Sequence, residues 1–145
     1  MCSVNVPSMD TEETIPIDTA IFGLGRMGKV HLHNLASTFR VNIKWIVDDI
    51  SVHDDIRTLL QKYRLEHVTR VASLEEADTV HSDTSVKAVF VCTPTIQHGP
   101  VIKKALTAGK HVFCEKPIAT SAETIKSCYA VAKEANRSLF CGFNK

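Results

Sequence analysis

The run Thr19-Ala20-Ile21-Phe22 feeds directly into Gly23-Leu24-Gly25-Arg26-Met27-Gly28, and a helix-patterned segment follows at once. This order constrains the fold more than any other part of the chain. The spacing G-x-G-x-x-G says little alone. Between a strand and a helix, with acids about 20 residues further on, it specifies a strand-to-helix corner that receives a dinucleotide. Gly23 permits the tight turn, Gly25 leaves the backbone open to close approach by a pyrophosphate, and Gly28 lets the helix sit near the sheet. Free N–H groups at the start of such a helix receive an anion.

The same alternation runs through the rest of the chain. Thr19–Gly23 reads as a first strand. Met27–Phe39 reads as a helix, with Val30, Leu32, Leu35, Ala36 and Phe39 forming an approximate apolar stripe. Strands are expected at Ile43–Asp48, Val68–Val71, Val86–Cys92, His111–Cys114 and Ser138–Gly142. Helices are expected at Val52–Tyr63, Thr95–Ala108 and Ser121–Asn136. Ser73 with Glu76 forms a capping box that opens a short helix, and Gly109 ends the helix before it. Continuously apolar strands separated by helices predict an α/β, Rossmann-type doubly wound parallel sheet of about six strands, with helices on both faces.

Composition narrows the functional classes. The 145 residues suit one domain, and 44% hydrophobic with 23% charged residues is ordinary for a packed protein. A formal net charge of +1 supplies no field for nucleic acid or anionic membrane. Residues 1–16 carry acids and no Lys or Arg, so they read as a flexible leader and not as a signal peptide or presequence. Five cysteines without a C-x-x-C pair argue against a disulfide scaffold or a zinc site. Small buried thiols in a reducing cytoplasm fit this usage. His31 and His33 lie on the first helix without a partner pattern.

Asp48 and Asp49 end the second strand, 20 and 21 residues beyond Gly28. A carboxylate there accepts hydrogen bonds from ribose hydroxyls and repels a 2′-phosphate, which favours NAD over NADP. Counting does not choose between the two acids. Arg26 either pairs near the phosphates or is an exposed loop residue.

Further along stand Cys92-Thr93-Pro94-Thr95 with His98, and then Glu115-Lys116-Pro117. In this order, residues 18–145 resemble the Gfo/Idh/MocA oxidoreductases, and most of all their inositol 2-dehydrogenase-like members. The resemblance implies a hydride transfer between NAD and a secondary hydroxyl of a cyclitol or sugar. It implies Lys116 as the catalytic-site lysine. Thr93 and Pro94 would lie at the nicotinamide end, and His98 and Glu115 would lie near the cofactor. Met27 and the glycines would form the phosphate loop. Asn144 matches the family's domain-junction asparagine, and the Lys116–Pro117 bond is a candidate cis peptide. A surface role for Lys116 and a purely structural role for His98 are the competing readings.

In this family a second domain supplies the substrate pocket and much of a homo-oligomer interface. No residue here matches it. The expectation is therefore the cofactor half of an oxidoreductase, 17–145, with the C-terminal substrate domain absent and the isolated chain inactive. The alternative is a non-catalytic dinucleotide-sensing or interaction protein.

Overall fold

The structure, a computed structural model, describes residues 15–67 and 69–143. Residues 1–14 of the expected leader, Val68 and Asn144 lie outside the described residues. The strands are β1 (Ile17–Phe22), β2 (Val41–Val47), β3 (Arg70–Ala72), β4 (Ala88–Val91), β5 (His111–Glu115) and β6 (Leu139–Gly142). The helices are α1 (Arg26–Ala36), α2 (His53–Lys62), α3 (Ala77–Ser82), α4 (Thr95–Thr107) and α5 (Ala122–Glu134).

All strand pairs are parallel, in the order β3-β2-β1-β4-β5-β6. The chain builds outward from β1 to β3, then returns to place β4 on the other side of β1. The strand order reverses between β1 and β4, so a crevice opens beyond their carboxyl ends. Alternation of side chains divides the core between the two faces. Ile21, Ile43 and Ile46 pack under Leu32 of α1 and Ile56 and Leu60 of α2. Ala20, Phe22, Val89, Val91 and Val112 pack under α3, α4 and α5 through Val80, Ile102, Leu106 and Cys128. This is the doubly wound sheet that the sequence pattern predicts.

Some boundaries differ. The first helix stops at Ala36, three residues before Phe39, because the Ser37 hydroxyl bonds back to the His33 carbonyl and the Ser37 amide turns to Asn34. Phe39 and Val30 are exposed and leave the expected apolar stripe. A 3-10 turn, Ile50–Val52, precedes α2, with the Asp49 carboxylate accepting from the Ser51 amide. The third strand is Arg70–Ala72, one to two residues later than expected. Ser73 and Glu76 do form reciprocal bonds: the Ser73 amide donates to Glu76 Oε2 at 2.9 Å, and the Glu76 amide donates to Ser73 Oγ at 3.3 Å. Gly109 has φ +77° and follows α4. Among the described residues no helix is long and apolar enough to cross a membrane.

Candidate functional site

The site is built from the carboxyl ends of β1, β2 and β4. Gly23 turns the chain out of β1 with φ +85°, and a Cβ there would meet the Thr93 amide nitrogen at 2.7 Å. The loop is fixed by backbone bonds: the Gly23 amide donates to Val47 O at 2.8 Å, and the Cys92 amide donates to Phe22 O at 2.7 Å. Gly28 is buried against the corner, where a Cβ would collide with the Gly23 carbonyl. Gly25 is different. A Cβ at Gly25 meets nothing within 4 Å, so its backbone borders open space.

Gly25 is also the N-cap of α1, offers no side chain to the helix amides, and is followed by a first turn without acids. α4 likewise begins at this end without an acid in its first turn. α2 carries Asp54 and Asp55 in its first turn. The positive ends of α1 and α4 are therefore uncompensated by side chains, as an anion receptor requires.

A cleft of about 670 Å³ opens here. Of the residues singled out by the sequence, Gly23, Gly25, Arg26, Met27, Asp48, Asp49, Thr93 and Pro94 line it. Two features of the cleft differ from the sequence expectation. Val52, Ile56 and Leu59, with Leu74, give part of its lining an apolar surface. Their spacing from residue 52 to 59 is helical and was legible as a stripe, but not as a wall of a site. Gln97 reaches the cleft from the first turn of α4.

The two acids differ in their engagements. Asp48 Oδ2 accepts from the Leu24 amide at 2.5 Å, and Asp48 Oδ1 accepts from the Asp49 amide at 2.8 Å. Asp48 thus ties the end of β2 to the glycine loop. Asp49 Oδ1 accepts from both the hydroxyl and the amide of Ser51, at 2.6 and 2.9 Å. The Ser51 hydroxyl, then its amide, hold the Asp49 carboxyl below the usual carboxylate range.

Thr93 is 8% exposed, and its Oγ1 has no hydrogen-bond partner in the structure. Unpaired buried hydroxyls are costly, and other atoms of this residue line the cleft.

His98 lies behind Thr93 and does not line the cleft. It is 1% exposed, with Nε2 at 2.7 Å from Thr93 O and Nδ1 at 2.8 Å from Pro117 O. Glu115 ends β5, one strand beyond β4, Lys116 follows it, and both lie outside the cleft lining. The Glu115 carboxylate meets His31 Nε2 at 2.6 Å. His31, which has no partner pattern within its own helix, finds its partner 84 residues away. Lys116 is exposed, and the Lys116–Pro117 peptide is cis.

The thiols are unsuited to nucleophilic work. The described cysteines are free. Burial, with Glu115 adding, pushes the Cys92 thiol up to about 12, and burial raises Cys114, Cys128 and Cys141 as well. Little thiolate exists at neutral pH under these conditions. Among the described residues no group of His, Cys, Asp or Glu forms a metal site.

The cleft can therefore hold an extended ligand with an anionic middle, hydroxyls beside β2 and a flat apolar group against α2. Comparison with known proteins agrees. The chain is 33% identical over 132 residues to the uncharacterized oxidoreductase YrbE of Bacillus subtilis, covering 91% of this chain and 37% of that protein. It is 29% identical over 125 residues to inositol 2-dehydrogenase of Rhizobium meliloti, covering 86% and 35%. The crystal structure of GenD2 from gentamicin A biosynthesis, in complex with NAD, superimposes with a TM-score of 0.75 at 32% identity, covering 89% of this chain and 35% of that one. The chain thus spans about a third of the length of the proteins it matches. Residues 17–143 match the GFO_IDH_MocA family model, described as an oxidoreductase family with an NAD-binding Rossmann fold, and the chain belongs to that family.

Proposed function

We propose that the cleft binds NAD as the cofactor half of an oxidoreductase acting on a secondary hydroxyl of a cyclitol or sugar. The observation that carries this reading is the open backbone at Gly25, where a Cβ would meet nothing within 4 Å, at the start of a helix whose first turn holds no acid. The open backbone at Gly25 accommodates the pyrophosphate, and the uncompensated start of α1 stabilises its charge. The apolar face of α2 suits an adenine.

Asp48 is the better ribose acceptor. Both acids line the cleft, but Asp48 is half-buried and tied to the glycine loop through the Leu24 amide, whereas Asp49 is exposed and turned to Ser51 through Oδ1. Two carboxylates at this place disfavour a 2′-phosphate, so the preference is for NAD over NADP. Arg26 and Met27 flank the phosphates. The solved relative with bound NAD supports this cofactor.

When bound, NAD exchanges hydride with the substrate carbon. This chain's part is to orient. Lys116 is exposed on a loop after β5, and its ammonium is suited to hold the substrate oxygen and assist its proton. Inositol 2-dehydrogenase among the relatives supports a polyol substrate. Those relatives are about three times as long, so we assign the rest of the substrate pocket, and the surfaces of a homo-oligomer, to polypeptide beyond this Rossmann unit. Residues 1–145 alone should produce no NADH from myo-inositol.

Gly25→Ala tests the reading. It adds a methyl group where the backbone borders open space. NADH titration followed by fluorescence should show weakened affinity, with stability close to that of the unaltered chain. Unchanged affinity contradicts the reading.

A further inference from the structure

We propose that His31 and His98 are positioning residues that brace the Glu115–Pro117 loop against both walls of the cleft. This rests on the reading of Lys116 as the group that meets the substrate.

Among the described residues the Lys116 side chain makes no hydrogen bond or ion pair, so only its backbone can place it. That backbone is held on each side. On one side, His31 Nε2 meets Glu115 Oε1 at 2.6 Å, with the two side chains only 17% and 14% exposed. The imidazole is wedged against Phe113 with ring centroids 5.0 Å apart, and against Phe90 at 5.9 Å. Glu115 Oε2 then accepts from the Lys116 amide at 3.3 Å. His31 belongs to α1, the helix whose start forms the anion-receiving corner. The lysine loop is thereby referenced to the phosphate side of the cleft.

On the other side, His98 spans from Thr93 O to Pro117 O. The ring fills the gap between the two loops, within hydrogen-bond distance of a carbonyl on each. Burial of the ring makes these contacts hard to exchange for water. Glu115 and Pro117 are thus each anchored through a histidine, one to the glycine-loop helix and the other to the Thr93 corner. Preorganised placement of this kind is what a catalytic group needs from its surroundings.

The test uses amide hydrogen exchange and chemical shifts of the 145-residue chain by NMR. His31→Ala should speed exchange at Lys116 and Ile118 by roughly tenfold, the scale of one lost charge-assisted hydrogen bond, while Val89 and Val112 stay protected. His31→Gln, which can still donate to Glu115, should restore most of the protection. Adding NAD should shift the Gly25 amide in wild type and His31→Ala alike, whereas the Lys116 response should fall in His31→Ala. Unchanged exchange at Lys116 and Ile118 in His31→Ala, or no rescue by His31→Gln, overturns the brace. If NAD leaves Gly25 unshifted in wild type, the cofactor reading fails, and the exchange data still decide the brace. Should His31→Ala not fold, Glu115→Ala breaks the same pair from the loop side and is read in the same way.

Discussion

Adding one methyl group at Gly28 and at Gly25 should have opposite consequences, although the two glycines are three residues apart. At Gly28 the new Cβ collides with the carbonyl oxygen of Gly23 and lies 3.6 Å from the Cβ of Cys92. The obstacle is backbone, so no rotamer relieves it and α1 must move away from β1. Overpacking costs about 3 kcal/mol at the upper end of its range. Alanine's better helix propensity returns about 1 kcal/mol. The net loss is about 2 kcal/mol, a fall in Tm of roughly 6 °C for a domain of this size. At Gly25 the backbone has φ −65° and ψ −162°, which any L-residue adopts, and the Cβ meets nothing within 4 Å. Stability should stay within about 0.5 kcal/mol of wild type. The methyl instead occupies space assigned to the pyrophosphate. NAD affinity should weaken at least tenfold, or about 1.4 kcal/mol. Urea denaturation and calorimetric titration measure the two quantities. Equal loss of stability in both variants, or undiminished NAD binding by Gly25→Ala, refutes the reasoning.

Other expectations concern charge and burial. Lys110 is 1% exposed and donates to Asp83 O at 2.7 Å and Val86 O at 3.1 Å. Lys110→Met takes a donor from both carbonyls and leaves Asp83 O with only the Val86 amide, and should cost about 1–3 kcal/mol in chemical denaturation; an unchanged midpoint contradicts this. His81 is stacked on Phe22, its Nδ1 is unpaired, and burial lowers its pKa from 6.5 to about 4. Above pH 6.5 the group is neutral folded or unfolded; between 6.5 and 4 the unfolded chain takes up the proton first, so stability falls with acid. The loss approaches about 3 kcal/mol, and His81→Phe should lose correspondingly less stability than wild type between pH 7 and 4. Parallel pH slopes for the two proteins sink this assignment. Asp48→Asn keeps an acceptor for the Leu24 amide but removes the charge, and should shift the NAD:NADP affinity ratio at least tenfold toward NADP. Asp49→Asn should shift it less, and the reverse order would exchange the roles of the two acids.

The sheet was legible because its signals are local. Apolar runs such as Ala20–Phe22 and Val89–Val91 have only one place to go, and Gly23 and Gly109 occupy the positive-φ positions that their neighbours' spacing demands. The end of α1 is not legible in the pattern, because Phe39 carries an apolar side chain in helical register, while the stop depends on Ser37 bonding back to the previous turn. Site residues near β1 and β2 were accessible for the same reason as the sheet: Gly25 and Asp48 lie at fixed distances from strand ends. His31 was not accessible, since its meaning depends on Glu115, four strands later in the sequence. Resemblance points to His98, but its surroundings are set by the two carbonyls on either side of its ring. Contacts between distant loops depend on tertiary packing, and sequence pattern carries no record of them.

Isothermal titration of NAD into the purified 145-residue chain tests the central claim most directly. The account predicts saturable heat from a single weak site, accompanied by a rise in melting temperature as the cofactor stabilises the native state. The absence of both heat and thermal shift at millimolar NAD would contradict it.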